Sequence, residues 1–278
     1  MRLDQIPAMC ISLARRSDRW KRFSDQPELE NLPNLERLTG VDGKLINIVA
    51  DKRINPFTKR NIITNSRRSH EELDSAGGIG CALSHRLAWK KLLDSDAPYA
   101  LIFEDDAIVP HDFISNLNKA LNSDKLLMRG DFDLLILSKV KSSTGPLDPN
   151  PKGPEPAQGF YPIKHFVLAH AYLVSRRAAQ IFYDECLPIS HHIDFYMAIQ
   201  CNLHNLLMVG SRQFEISQVG MDSNIQTKPS CALCDVPTDF YENYLMVPHT
   251  SWKLAKGSEY LIIAVLLGYV AYRAYTSK

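Results

Sequence analysis

Three adjacent carboxylates, Glu104, Asp105 and Asp106, follow an apolar run in the stretch LIFEDDAIVP, residues 101–110. Each costs free energy to bury unless it is paired, hydrogen-bonded or metal-bound. One reading is a strand that leaves the core through a solvated polar turn. The other is a divalent-cation site at the end of a sheet. Oxygen ligands suit Mg²⁺ and Mn²⁺, and a cation lets neighbouring carboxylates that repel one another all stay ionised.

Other residues with chemistry lie elsewhere in the chain. Ser84 and His85, in GGIGCALSHRLAW, fall in the first turn or two of an expected helix after Gly80. Free N–H groups and the dipole at such an end favour an anion, while a buried structural histidine is the plainer reading. Basic residues are dense at 14–22 (ARRSDRWKR) and 65–70 (NSRRSH), as solvated surface or as an anion site. Asp131 and Asp133 also form Asp-x-Asp, read here as a turn before the strand LLILS. Cys231 and Cys234 make a lone CxxC without the second ligand pair a structural zinc site needs. A phosphate loop of the GxxxxGK[ST] kind is absent, which counts against a phosphoryl or nucleotidyl transferase.

The elements that must position these groups alternate. AMCISL (8–13) reads as a buried strand, and SDRWKRFSDQPEL as a helix start capped by Ser17 or Asp18. LERLTGVDG is a second short strand ending in a glycine turn, and residues 44–74 read as loop and short helix. Glycine turns in AGGIG lead into the helix CALSHRLAWKKLLDSD. Then come the strand YALIFEDDAIV, a helix capped by Asp112, the strand FDLLILS, a strand running into a helix in HAYLVSRRAAQIFYDEC, and the helix HHIDFYMAIQC. This order predicts an α/β fold with a mostly parallel sheet. The proline-rich run Ser142 to Pro162 reads as a long loop of the kind that serves as a lid.

The chain has 278 residues, 45% of them hydrophobic and 23% charged, so it can bury a full core. Its net charge of +1 gives no strong field for nucleic acid. The N-terminus is too polar, and too soon interrupted by Pro7, to read as a secretory signal, and the six cysteines read as reduced thiols. The run from Tyr260 to Tyr272 is apolar, with Trp252, Lys253 and Lys256 before it and Arg273 and Tyr275 after. It is short of the roughly 20 residues that span a bilayer, but its flanks are of the interfacial kind. The expectation is a soluble domain over residues 1–250. Residues 251–278 form a juxtamembrane segment and tail-anchor helix, touching the membrane through 260–275 with the domain on the cytosolic side. The alternatives are a terminal helix docked on the core and a soluble cytoplasmic protein.

Taken together, CISLARRSDRW, GGIGCALSHRLAW, LIFEDDAIV and HAYLVSRRAAQIF resemble, in order and spacing, glycosyltransferase family 25, over about residues 8–226. That family includes lipooligosaccharide and collagen galactosyltransferases. The resemblance implies a GT-A type, Rossmann-like domain that binds a UDP-sugar and transfers a hexose, galactose or glucose, with inversion to a glycan or protein hydroxyl. It implies a Mn²⁺ or Mg²⁺ ion on the donor diphosphate, held by Asp106 with Glu104. Ser12, Leu13, Arg15, Arg19, Gly80, Ser84, His85, Glu104 and Asp105 would then line the nucleotide-sugar site. Gln218, Asp222 and Ser223 would face the acceptor. Asp194 is the candidate base for the acceptor hydroxyl, with a plain helix cap as its other reading. A catalytically silent, membrane-tethered protein of the same fold is the alternative function.

Overall fold

The computed structural model describes residues 3, 6–32, 34–138, 159–211 and 215–219, and the backbone alone of 230–231, 244–246 and 253–255. The expected lid (142–158 of it), Asp222, Ser223, Cys234 and the apolar tail lie outside the described residues. Among the described residues no helix is long and apolar enough to cross a membrane.

The strands are β1 (Ala8–Leu13), β2 (Leu35–Gly40), β3 (Ser66–Arg67), β4 (Tyr99–Glu104), β5 (Ala107–Ile108), β6 (Leu134–Ile136), β7 (Tyr161–Pro162), β8 (Ala171–Ser175), β9 (Met208–Gly210) and β10 (Ser217–Gln218). The helices are α1 (Ser17–Ser24), α2 (Pro56–Thr64), α3 (Ala76–Leu93), α4 (Phe113–Ser123), α5 (Arg176–Glu185) and α6 (Ile193–Leu203). Seven strands form one sheet in the order β2-β1-β4-β8-β6-β9-β7. Short strands at 230–231, 244–246 and 253–255 complete the described chain, the first beside β3 and the other two paired together.

Side chains alternate across the sheet with period two. Met9, Ile11, Ile102, Tyr172 and Val174 face a core shared with α3, α5 and α6. Ala8, Cys10, Leu101, Phe103 and Leu173 face a second core with Phe23 of α1 and the apolar side of α4. The sheet is therefore covered on both faces. Its central strands are apolar throughout because neither face meets water; Ala100 to Phe103 are fully buried.

The sheet is mixed, not mostly parallel. β1 pairs in parallel with β2 and β4, and β6 with β9, but β8 is antiparallel to both β4 and β6, and β7 to β9. A strand buried on both faces has the same apolar pattern whichever way it runs, so HAYLVS carries no sign of direction.

Helix ends also differ from expectation. Arg16, not Ser17 or Asp18, stands at the N-cap of α1, and no side chain caps it; Asp18 pairs instead with Arg16 at 2.8 Å. Asp112 does occupy the N-cap of α4, at φ 57°, but makes no capping bond with its side chain. The AGGIG segment is not a pair of turns. It is the first part of α3, capped by Ser75 Oγ, which accepts from Gly78 N–H at 3.1 Å. The glycines are there for clearance. A Cβ on Gly80 would lie 2.5 Å from Val41 O and 2.6 Å from Gly43 N. α3 thus packs directly on the chain leaving β2.

Asp133 is held away from ligand chemistry. It is buried and accepts from Ser175 Oγ at 3.1 Å and from Leu207 N–H at 2.9 Å, tying the start of β6 to β8 and to the approach to β9.

Candidate active site

β1 and β4 run in parallel, with Ile11 opposite Glu104, so their carboxyl ends open at one edge of the sheet. Open α/β sheets bind ligands at that edge. Here it forms a cleft of about 740 Å³, counting its open mouth. Leu13 comes from the end of β1, Arg15 and Arg16 from the β1–α1 turn, Arg19 from α1, and Val41 to Lys44 from the chain after β2. Gly77, Cys81, Ser84 and His85 come from α3, Glu104 to Asp106 from the end of β4, and Gln218 from β10.

The three carboxylates have different surroundings. Glu104 Oε1 lies 3.1 Å from His85 Nε2. Burial opposes its charge, but the His85 hydrogen bond and charge, helped by His170 and Arg19, hold its pKa below the usual carboxylate range. Asp105 and Asp106 are raised, first by burial and, for Asp106, next by the Glu104 charge; Arg19 opposes the rise in both. Arg19 Nη2 sits 2.7 Å from Asp105 Oδ1 and 2.7 Å from Asp106 Oδ2. Gln218 Nε2 donates to Asp106 Oδ2 at 2.9 Å, and Val219 N–H donates to Asp106 O at 2.9 Å. The short β5–β10 pairing fixes this arrangement.

Asp106 Oδ1 is buried and has no hydrogen-bond partner among the described residues. A carboxylate oxygen so placed suits a cation, which would also reverse the burial effect on both aspartates by favouring their ionised forms. Oxygen ligands of this kind suit a hard divalent cation such as Mg²⁺ or Mn²⁺. Asp106 would hold it, with Glu104 as the second carboxylate on the same strand end.

His85 is built in rigidly. It is fully buried, with Nδ1 2.7 Å from Tyr172 OH, which accepts from Trp89 Nε1 at 3.1 Å. Ser84 and His85 stand in the third turn of α3, not at its N-terminus, so the free N–H groups of the helix end are not theirs. Ser84 Oγ accepts from Val41 N–H at 2.8 Å and donates to Gly80 O at 2.6 Å. Its hydroxyl thus joins α3 to the chain after β2. Ser84→Ala is expected to cost about 1–3 kcal/mol, the usual effect of leaving a buried donor unsatisfied. A urea denaturation curve checks this, and an unchanged midpoint would deny the link.

The remaining expected residues divide. Leu13 lines the cleft, while Ser12 is buried behind it, its hydroxyl accepting from Arg37 at 3.2 Å. Arg15 lines the cleft in an ion pair with Asp42. Arg19 also lines it, with its guanidinium on the acids. Gly80 contacts Val41 and Gly43 and does not line the cleft. Asp194 is the second residue of α6, its Oδ2 accepting from Leu168 N–H and its Oδ1 from Phe195 N–H, both at 2.9 Å. It does not line the cleft either, although its charge reaches Cys81, which does. Sequence reasoning missed Asp42, Lys44 and Cys81 as lining residues, and Tyr172 and Trp89 as the support of His85. Only Cys81 left a signal, standing four residues before His85 on one helix.

The glycosyltransferase family 25 (LPS biosynthesis protein) model matches residues 5–197, more than half of the chain. The chain belongs to glycosyltransferase family 25. Among similar proteins, human procollagen galactosyltransferase 2 is 28% identical over 151 residues, covering 51% of this chain and 21% of that protein. A glycosyltransferase 25 family member of Drosophila pseudoobscura pseudoobscura is 28% identical over 144 residues, covering 52% of this chain and 22% of its own length. These alignments thus span about a fifth of each relative. The matched family 25 region takes in β1, α3 and the end of β4, hence every cleft-lining residue named above except Gln218.

Proposed function

We propose that this family 25 member is a metal-dependent, GT-A type transferase. It moves a hexose from a UDP-sugar to a hydroxyl of a glycan or protein acceptor, with inversion. The observation that carries this reading is the carboxylate trio at the end of β4, in a cleft at the carboxyl edge of the sheet, with Asp106 Oδ1 buried and without a partner among the described residues. Galactose is the favoured sugar because the human relative is named a galactosyltransferase.

Asp106 and Glu104 would hold Mn²⁺ or Mg²⁺ against the donor diphosphate, where the cation stabilises charge on the leaving group. Arg15, Arg16 and Lys44 line the same cleft and supply positive charge for the nucleotide side. Arg19 fixes Asp105 and Asp106 in place, so the acids are oriented before any ligand arrives. Asp194 is the proposed base. Its two backbone hydrogen bonds fix its carboxylate at the start of α6, outside the lining of the cleft, so its role would be to take the proton of an acceptor hydroxyl bound beside that lining and not within it. Gln218 joins the acceptor side of the cleft to Asp106.

The test is a panel of UDP-hexoses with Mn²⁺ and a broad set of glycan and peptide acceptors, read by mass-resolved product. One hexose is expected to move, and Asp194→Asn is expected to retain donor binding while losing transfer. Nucleotide release without any sugar in product, or no turnover with any donor, would reject the reading.

A further inference from the structure

Cys81 and His85 are four residues apart on α3, so their side chains leave the same face of the helix, one turn apart. That face meets the end of β4. There Glu104 Oε1 lies 3.1 Å from His85 Nε2 and 4.0 Å from Cys81 Sγ. One ligand atom from each residue lies within 4.8 Å of the other two. A tetrahedral cation with ordinary zinc bond lengths sets its ligand atoms about 3.3–3.6 Å apart. Small side-chain adjustments therefore close the set, with no movement of α3 or β4.

The support for the site is also present. The ring of His85 is held from behind by Tyr172 OH, itself held by Trp89 Nε1, so Nε2 faces Cys81 and Glu104. Metal-bound histidines are oriented in this way by a partner on the other ring nitrogen. All three ligands line the cleft, which leaves the fourth tetrahedral position for water or a ligand.

We propose that Cys81, His85 and Glu104 form a site for a zinc-class divalent cation, distinct in ligand chemistry from the all-oxygen set at Asp106. Thiolate and imidazole ligands select Zn²⁺ or Co²⁺ over Mg²⁺ and Mn²⁺. On binding, the Cys81 thiol gives its proton to solvent and its sulfur bonds the cation. His85 binds through Nε2 and carries its proton on Nδ1, facing the Tyr172 oxygen. Glu104 serves both sets, so a bound zinc-class ion draws it away from Asp106. The expected consequence is inhibition of transfer by Zn²⁺. That consequence rests on the transferase reading, whereas the binding test below does not.

The test titrates the full chain, with its thiols reduced and Mg²⁺ in excess, with Co²⁺ as the probe. One equivalent is expected to bind with a thiolate-to-cobalt charge-transfer band and tetrahedral visible bands, and Zn²⁺ is expected to displace it. Cys81→Ser should abolish the band, and the Cys231→Ser, Cys234→Ser double variant should keep it. In the unmodified sequence, Zn²⁺ should also protect Cys81 from alkylation, read by peptide mass mapping, which holds even if a variant folds poorly. Absence of the charge-transfer band, its survival in Cys81→Ser, its loss in the double variant, or unprotected Cys81 would each overturn the site.

Discussion

Asp106→Asn is expected to lower hexose transfer by about two orders of magnitude or more at saturating donor and cation, the effect of removing an electrostatic partner of the transition state. The substitution keeps the shape of the side chain. It removes the charge at the carboxylate whose buried Oδ1 has no partner among the described residues. The fold should not share the loss. Burial and the Glu104 charge already work against an ionised Asp106, so a neutral amide costs the folded state little. Arg19 keeps its contact with Asp105, and Val219 N–H keeps its bond to the backbone oxygen. The two readouts are therefore expected to part, with activity falling while the denaturation midpoint stays. Near-normal turnover would reject Asp106 as a ligand, and parallel loss of both would make its role structural.

Gly43→Ala is expected to destabilise the protein by about 3 kcal/mol, at the upper end of overpacking costs. A Cβ there would stand 1.8 Å from Ala76 O and 2.4 Å from Ala76 C. These are backbone atoms of the first turn of α3, not the end of a flexible side chain. Either the helix or the chain after β2 must move, and both line the cleft. Loss of transfer is expected alongside the loss of stability. The fall in urea midpoint at unchanged m-value measures the first. A change under about 1 kcal/mol would mean that the contact yields easily, and the close packing of α3 on Gly43 would lose its structural weight.

The residues that carry the site were legible where a local pattern encodes them. An apolar run ending in Glu104, Asp105 and Asp106 has one sensible place in an α/β fold, the end of a buried strand, and β4 ends at Glu104. β1 has the limits its sequence predicts, Ala8 to Leu13, since Pro7 and the charged run after it bound it clearly. What failed depended on distant parts of the chain. Gly78 and Gly80 look like turn residues because their use, clearance for Leu73 and for Val41 and Gly43, is invisible in sequence. Because α3 begins at Ala76, Ser84 and His85 stand two turns from the helix terminus that the glycines suggest. The direction of β8 was equally hidden, because its pattern is symmetric. Arg19 lines the cleft as its sequence position suggests, while its pairing with both aspartates is visible only in the fold.

The central claim is that the end of β4 holds a divalent cation and, through it, a nucleotide diphosphate. Calorimetric binding of UDP to the full chain, with Mn²⁺ and then with chelator, tests it most directly when repeated on Asp106→Asn. The account predicts binding that needs Mn²⁺ and that weakens at least tenfold, about 1.4 kcal/mol, in the variant. UDP binding equally well without metal, or equally well to Asp106→Asn, would contradict it.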